Sequence, residues 1–452
     1  MQTLLQGGLV VAPSKPQLLS GGDILVDGAT IAGIGEPGAF AGTDVDRTLD
    51  VSDCLVMPGL VNTHQHEWYL LGKGLGDDKL LESWIRECLF PLKAELTPDD
   101  FRIASEVAAL DMIRGGTTTC LNHLVAETDA IAEDAILSPV SASGMRQYFA
   151  KAVRPADVDD DFESTRSCYA TWNGAGDGRI KVGVVLEATA HWVDAGTSTD
   201  EMLIGGHALA EELDTFITSH IAGGTLSRDD GYLKYVLKTG RTDIEYLHGL
   251  GVLDRRWILA HTIHAREHDL ALIAESGASV SHTPSSEAAR GGGVTPVRTM
   301  LERGIRVALG TDGPMVDHTN DMLEQLKWTR LLQNQVHWTP SSVAVDTLIA
   351  MGTAHGAEAL GAADVFGTIA PGLRADIVMF DINTLHATYA HNPLSTLVHA
   401  VRSSDAKHVM VDGELLLHDG HFTRAEQHHV TELIKRAGSS ARELGKRAGL
   451  LF

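Results

Sequence analysis

Two histidines one residue apart, His64 and His66, close the apolar run Leu60-Val61-Asn62-Thr63. Side chains at i and i+2 of a strand leave the same face, a spacing that suits two adjacent ligands on one metal ion. Histidine is abundant, 22 of 452 residues, so the spacing alone says little. Position gives it weight. His220 follows Phe216-Ile217-Thr218-Ser219, His261 follows Trp257-Ile258-Leu259-Ala260, and Asp312 follows Val307-Ala308-Leu309-Gly310-Thr311. One polar residue ending an apolar run is ordinarily a cap or a hydrogen-bonded core group. Four strand ends bearing imidazole and carboxylate point instead to a shared site.

A repeating frame must bring such distant strand ends together. Apolar segments at 60–63, 117–121, 180–186, 216–219, 257–260, 278–281 and 307–310 alternate with helix-periodic stretches such as 99–114 and 266–275. Strand–helix repeats over about 300 residues imply a parallel sheet covered on both faces. Room for eight units favours a closed (β/α)8 TIM barrel, in which the C-terminal strand ends carry the chemistry. Short strands before residue 58 and after residue 360, including an Asp27-Gly28 hairpin turn, predict a small composite β-sandwich built from both termini. The expected division is 1–57 with 361–425 for the β-domain, 58–360 for the barrel, and 426–452 for a helical tail with a basic, solvated face.

Lysine plus arginine is 36 against 60 aspartate plus glutamate, a net charge of −24. That balance excludes nucleic acid or an anionic membrane as the main partner. The four cysteines (Cys54, Cys88, Cys120 and Cys168) show no CxxC spacing. Neither a disulfide framework nor a thiolate zinc site is expected. No run approaches the roughly 18 apolar residues of a membrane helix, and the N-terminus lacks a basic leader pattern. A cytoplasmic location is the expectation.

Val56-Met57-Pro58-Gly59-Leu60-Val61-Asn62-Thr63-His64-Gln65-His66 resembles the opening strand of the amidohydrolase superfamily. The nearer resemblance is to its triazine hydrolase and nucleoside or guanine deaminase branch. It extends through Gly115-Gly116-Thr117-Thr118-Thr119, Ala278-Ser279-Val280-Ser281-His282-Thr283-Pro284 and Pro371-Gly372-Leu373-Arg374-Ala375-Asp376. The resemblance implies one divalent ion per chain, zinc first with iron or cobalt as alternatives, on His64, His66, His220 and Asp312. It implies that His261 stands beside this site, that Asp312 shuttles a proton, and that the chain forms a homodimer. A cation so bound acts as a Lewis acid and makes hydroxide available near neutral pH.

One position departs from the pattern. Deaminases of this branch carry glutamate three residues after the fifth-strand histidine, where this chain has Gly223. Glu67, Glu187 and Glu287 are the candidates for a replacement acid. Trp68, Trp84, His123, His191, His282 and Glu287 are the candidates for substrate contact, from their places after or between strand ends. The expected function is hydrolysis of a C–N, or related C–S or C–Cl, bond in a small neutral molecule: an amide, carbamate, urea or amino-substituted N-heterocycle. The alternatives are a purine, pterin or triazine deaminase with a non-standard proton donor, and a non-catalytic metal-binding barrel.

Overall fold

A computed structural model of the chain describes residues 1–11, 18–189, 196–388 and 391–451. Five strands open it: β1 (Gln2–Val11), β2 (Leu18–Asp27), β3 (Thr30–Gly35), β4 (Arg47–Asp50) and β5 (Cys54–Pro58). Eight parallel strands follow: β6 (Leu60–Gln65), β7 (Thr117–His123), β8 (Arg146–Ala152), β9 (Ile180–Val185), β10 (Ile217–Ile221), β11 (Trp257–His261), β12 (Ser279–His282) and β13 (Arg306–Leu309). They pair in chain order from β6 to β13. β13 returns to β6: the Asp312 N–H donates to the His64 carbonyl at 3.0 Å, and Thr63 Oγ1 donates to the Leu309 carbonyl at 2.9 Å. The result is the (β/α)8 barrel. Its strands are buried throughout, which explains why they read as apolar runs without alternation.

β8 is the strand absent from the seven apolar segments. Its sequence, Arg-Gln-Tyr-Phe-Ala-Lys-Ala, carries two charges that are nonetheless buried because each is paired. Lys151 binds Glu133, and Arg146 reaches the terminal sheet.

That sheet has nine strands, with β14 (Ile377–Asp381), β15 (Ala406–Val411), β16 (Glu414–His418) and β17 (His421–Phe422) joining β1–β5. β5 pairs antiparallel with β14 and parallel with β1, so both termini meet at the strand preceding the barrel. Hydrogen bonding runs continuously across the sheet, which curls round its own core of Val10, Ile24, Val56, Ile377 and Met410. The chain passes from sheet to barrel at Gly59, where a Cβ would lie 2.2 Å from the Thr118 side chain.

The tail helix, Gln427–Arg447, carries the solvated basic face the sequence suggested, with Lys435, Arg436, Arg442, Lys446 and Arg447 exposed. Leu433 and Leu444 on its other side are buried, and it packs on the helix Pro98–Arg114. Arg447 and Ser440 both bind Asp100 at 2.5 Å, and His429 binds Glu106 at 2.5 Å.

The two sheets are riveted by buried charge. Arg146, at the start of β8, donates to Asp376 at 3.1 Å and to Asp412 at 2.8 Å, while Arg179 donates to the other Asp412 oxygen at 2.9 Å. Removing one member leaves buried charges without partners. Arg146→Ala is expected to lower unfolding free energy by about 3–5 kcal/mol, read from urea denaturation. A loss below about 1 kcal/mol would show that the rivet is not structural.

Candidate active site

The C-terminal strand ends converge. The His66 and His220 Nε2 atoms lie 3.2 Å apart, and Asp312 Oδ1 is 3.3 Å from His66 Nε2 and 3.8 Å from His64 Nε2. The His64 and His261 rings lie 5.3 Å apart, and one nitrogen from each lies within 4.8 Å of the other and of an Asp312 oxygen. His64, His66, His220, His261 and Asp312 therefore share one small volume.

Local backbone makes this possible. His261 and Asp312 have φ of +69° and +59°, and Ala222, two residues after His220, has φ of +46°. Three of the four site-bearing strands thus end in a left-handed residue, a conformation that costs energy for a side chain bearing Cβ and recurs at functional sites. Asn62 locks the first strand to the last: Nδ2 donates to Thr311 Oγ1 at 2.8 Å and Oδ1 accepts from Thr311 N–H at 3.1 Å. Gly313 has no Cβ because one would stand 2.1 Å from the Tyr69 ring. Asp312 itself accepts from Ser286 Oγ at 2.6 Å and from Gly313 N–H at 2.7 Å.

Hydrogen bonds fix which nitrogen of each ring is free. His66 Nδ1 donates to the His123 carbonyl at 2.5 Å, and His220 Nδ1 donates to Glu187 Oε1 at 2.6 Å. Neutral rings with protonated Nδ1 present lone pairs at Nε2. Two lone pairs then face each other at 3.2 Å beside a carboxylate oxygen. Both His64 ring nitrogens are buried and lack a hydrogen-bond partner among the described residues. Burial, then the neighbouring imidazoles, holds the His64 pKa well below its ordinary value, so the ring stays neutral. Inward lone pairs on His66, His220 and Asp312, with one more available from neutral His64, fit a divalent cation.

Glu187 serves as the bracket. Its Oε1 also accepts from His123 Nε2 at 2.9 Å, so one carboxylate orients two rings. Burial alone would raise its pKa, but its interaction with His220 and the two histidine hydrogen bonds hold it well below the carboxylate range. Of the other suggested acids, Glu67 faces away from the pocket, accepting from Ser105 at 2.6 Å and from Gln147, and burial pushes its carboxyl up to about 8. Glu287 is tied by His282 Nδ1 at 3.3 Å and Thr295 Oγ1 at 2.9 Å.

A largely apolar pocket opens above these groups. Tyr69, Trp84, Ile85, Phe90 and Tyr232 wall it, with His66, His220, His261 and Asp312 at its polar end. Trp84 is on the lining, capped by the Arg290 guanidinium at 3.9 Å from its ring. Trp68 stands behind the lining, edge-on to Tyr69, and so packs the core. His123 has both nitrogens bonded, to Thr218 and Glu187. It buttresses the ligands and does not line the pocket. His282 lies behind Glu287, and only Glu287 of that pair reaches the lining. His191 lies outside the described residues. Tyr69, in the aromatic stretch that follows the second histidine, also lines the pocket, its ring stacked on His66 at 4.4 Å, whereas Glu82 and Arg290 line it without any signal in the sequence.

Orienting partners behind metal-binding histidines commonly change affinity when lost. Glu187→Gln is expected to weaken retention of zinc about 10- to 100-fold, measured by competition with a chelator of known affinity. Unchanged retention would show that Glu187 does not orient the site.

Comparison with known proteins places the geometry in a lineage. Residues 55–416 match the amidohydrolase family. The chain is 32% identical to the 5-methylthioadenosine/S-adenosylhomocysteine deaminase of Haloarcula marismortui over 99% of each chain. It is also 32% identical to the 5'-deoxyadenosine deaminase of Methanothermobacter thermautotrophicus, over 92% of this chain and 94% of that one. Among solved structures, a zinc-bound adenosine deaminase from Xanthomonas campestris superposes with a TM-score of 0.88 at 24% identity, covering 98% of each chain. A zinc complex of atrazine chlorohydrolase from Arthrobacter aurescens gives 0.85 at 20% identity, covering 97% of this chain and 100% of that one. The barrel and the terminal sheet are thus explained by descent: the chain belongs to the amidohydrolase family.

Proposed function

We propose that this protein is a metal-dependent aminohydrolase that removes the exocyclic amine of an N-heterocycle, a nucleoside of the adenosine type, as ammonia. The observation that carries the reading is the meeting of inward lone pairs on His66, His220 and Asp312 at the polar end of an aromatic-walled pocket. Among carbon–nitrogen substrates, the near-full-length relatives named as deaminases of adenosine derivatives favour the heterocycle. The four cysteines are buried and unpaired, which supports a reducing compartment.

His64, His66, His220 and Asp312 would hold the ion, for which we assign zinc, one per chain. Bound there, it supplies Lewis acidity and hydroxide at neutral pH. The protein's own groups do the rest. Asp312 takes a proton from the attacking water and hands it to the departing amine. His261, held at Nδ1 by Thr283 Oγ1 at 2.7 Å, turns its other nitrogen toward the oxygen that develops charge. Burial pulls the His261 pKa below its ordinary value despite the pull of Asp312, so the ring is neutral at neutral pH. Trp84 and Tyr69 line the pocket and give a purine aromatic surface to pack against.

Incubation with adenosine, 5'-deoxyadenosine, aminopterins and aminotriazines, with ammonia recorded, tests the reading. Ammonia release that is abolished by chelation and restored by zinc is expected. Asp312→Asn should reduce turnover at least about 10³-fold while leaving the fold intact. Release of an amine from carbamates or amides without ammonia would move the protein to the other branch of substrates. A zinc-loaded protein that hydrolyses none of these compounds would contradict the enzyme reading.

A further inference from the structure

Deamination of an aminoheterocycle needs a second proton donor. When water oxygen bonds to the carbon carrying the amine, the electron pair of the ring C=N moves onto the ring nitrogen, which must be protonated as it does so. Gly223, three residues after His220, has no side chain to offer. A Cβ there would have His261 as its nearest neighbour at 3.8 Å, so the space beside it is open to the pocket.

Among the described residues, three acids line the pocket: Glu82, Glu287 and Asp312. Asp312 belongs to the metal-binding set. Glu287 has both oxygens engaged, one by His282 and Thr283 and the other by Thr295. Glu82 is different. It is 3% exposed, and its one hydrogen bond is from the Thr225 N–H to Oε1 at 2.8 Å. Its second oxygen has no partner, and no cation pairs with it, among the described residues. A buried carboxyl oxygen without a partner is open to a ligand N–H.

Its position answers the gap. Cβ atoms at Gly224 and Gly231 would lie 2.8 and 2.4 Å from Glu82 Oε1, so the carboxyl fills the space those glycines vacate, beside residue 223. Glu82 and Trp84 share the short helical turn Leu81–Trp84, which therefore supplies both a ring-stacking face and an acid.

We propose that Glu82 is the catalytic acid that protonates the heterocycle's ring nitrogen, delivering from the turn Leu81–Trp84 the carboxyl that position 223 lacks. This rests on the aminohydrolase reading. Water oxygen bonds to the amine-bearing carbon, and the C=N pair takes the Glu82 proton at nitrogen. Asp312 carries the water proton to the amine, the carbon–amine bond breaks, and ammonia leaves. The adduct's hydroxyl proton returns through water to Glu82 as the C=O bond forms. One water is consumed and one ammonia released.

Glu82→Gln keeps the shape and still accepts from Thr225. Zinc content and melting temperature should be retained, while kcat for adenosine or 5'-deoxyadenosine falls about 100-fold or more. Affinity for the matching oxo product, whose ring N–H would donate to the carboxylate, should fall about tenfold, followed without turnover by quenching of tryptophan fluorescence. A kcat within about threefold of wild type overturns the proposal. Lost turnover with unchanged product affinity also overturns it, assigning Glu82 a structural part. If the wild-type protein releases ammonia from no aminoheterocycle, the substrate reading falls and this proposal falls with it. An active wild type with an indifferent Glu82→Gln removes this proposal alone.

Discussion

The constraint on which the site depends is the mutual repulsion of lone pairs. His66 and His220 each spend their Nδ1 proton outward, on the His123 carbonyl and on Glu187, and so aim bare Nε2 atoms at each other across 3.2 Å. Asp312 adds a carboxylate oxygen and His64 two buried, unpartnered nitrogens. Left alone this arrangement is unfavourable. A divalent cation reverses its sign, because each repelling lone pair becomes a ligand.

Much of the barrel serves to hold those groups against that repulsion. Asn62 and Thr63 tie β6 to β13 through Thr311 and Leu309, and the Asp312 N–H binds the His64 carbonyl. The strand ends turn through left-handed residues, at His261 and Asp312 among them, that packed neighbours keep in place. At the opposite end, the Arg146–Asp376–Asp412 cluster fixes the barrel to the terminal sheet. The chemistry sits at one end and the structural rivet at the other, the division expected of a barrel enzyme.

The parts of this arrangement visible in sequence are those that local pattern encodes. Buried parallel strands must be apolar, so β6, β7 and β9–β13 announce themselves and the polar residues closing four of them stand out. β8 did not, because its Arg146 and Lys151 are buried through partners outside the strand, Asp376 and Glu133. The terminal strands were legible, whereas their merger into one curled sheet depends on pairing between β5 and β14, which lie more than 300 residues apart. Glu187 was suspected as an acid; its role as a bracket for two histidines depends on side-chain reach across β7, β9 and β10. Glu82 gave no signal, since it lies in a short turn and meets residues 224 and 225, more than 140 positions away, only in the fold. Long-range placement, not residue type, separates what was readable from what was not.

The cation between the strand ends is the centre of the account. Anomalous diffraction at the zinc edge from crystals of the zinc-loaded protein tests it most directly. The expected result is one strong peak per chain enclosed by His64, His66, His220 and Asp312. The described residues hold two other clusters of ligand type, His408 with His418 and Asp419, and His207 with Glu211 and Asp254. A peak at either of those with none at the strand ends, or no peak at all, would contradict the account.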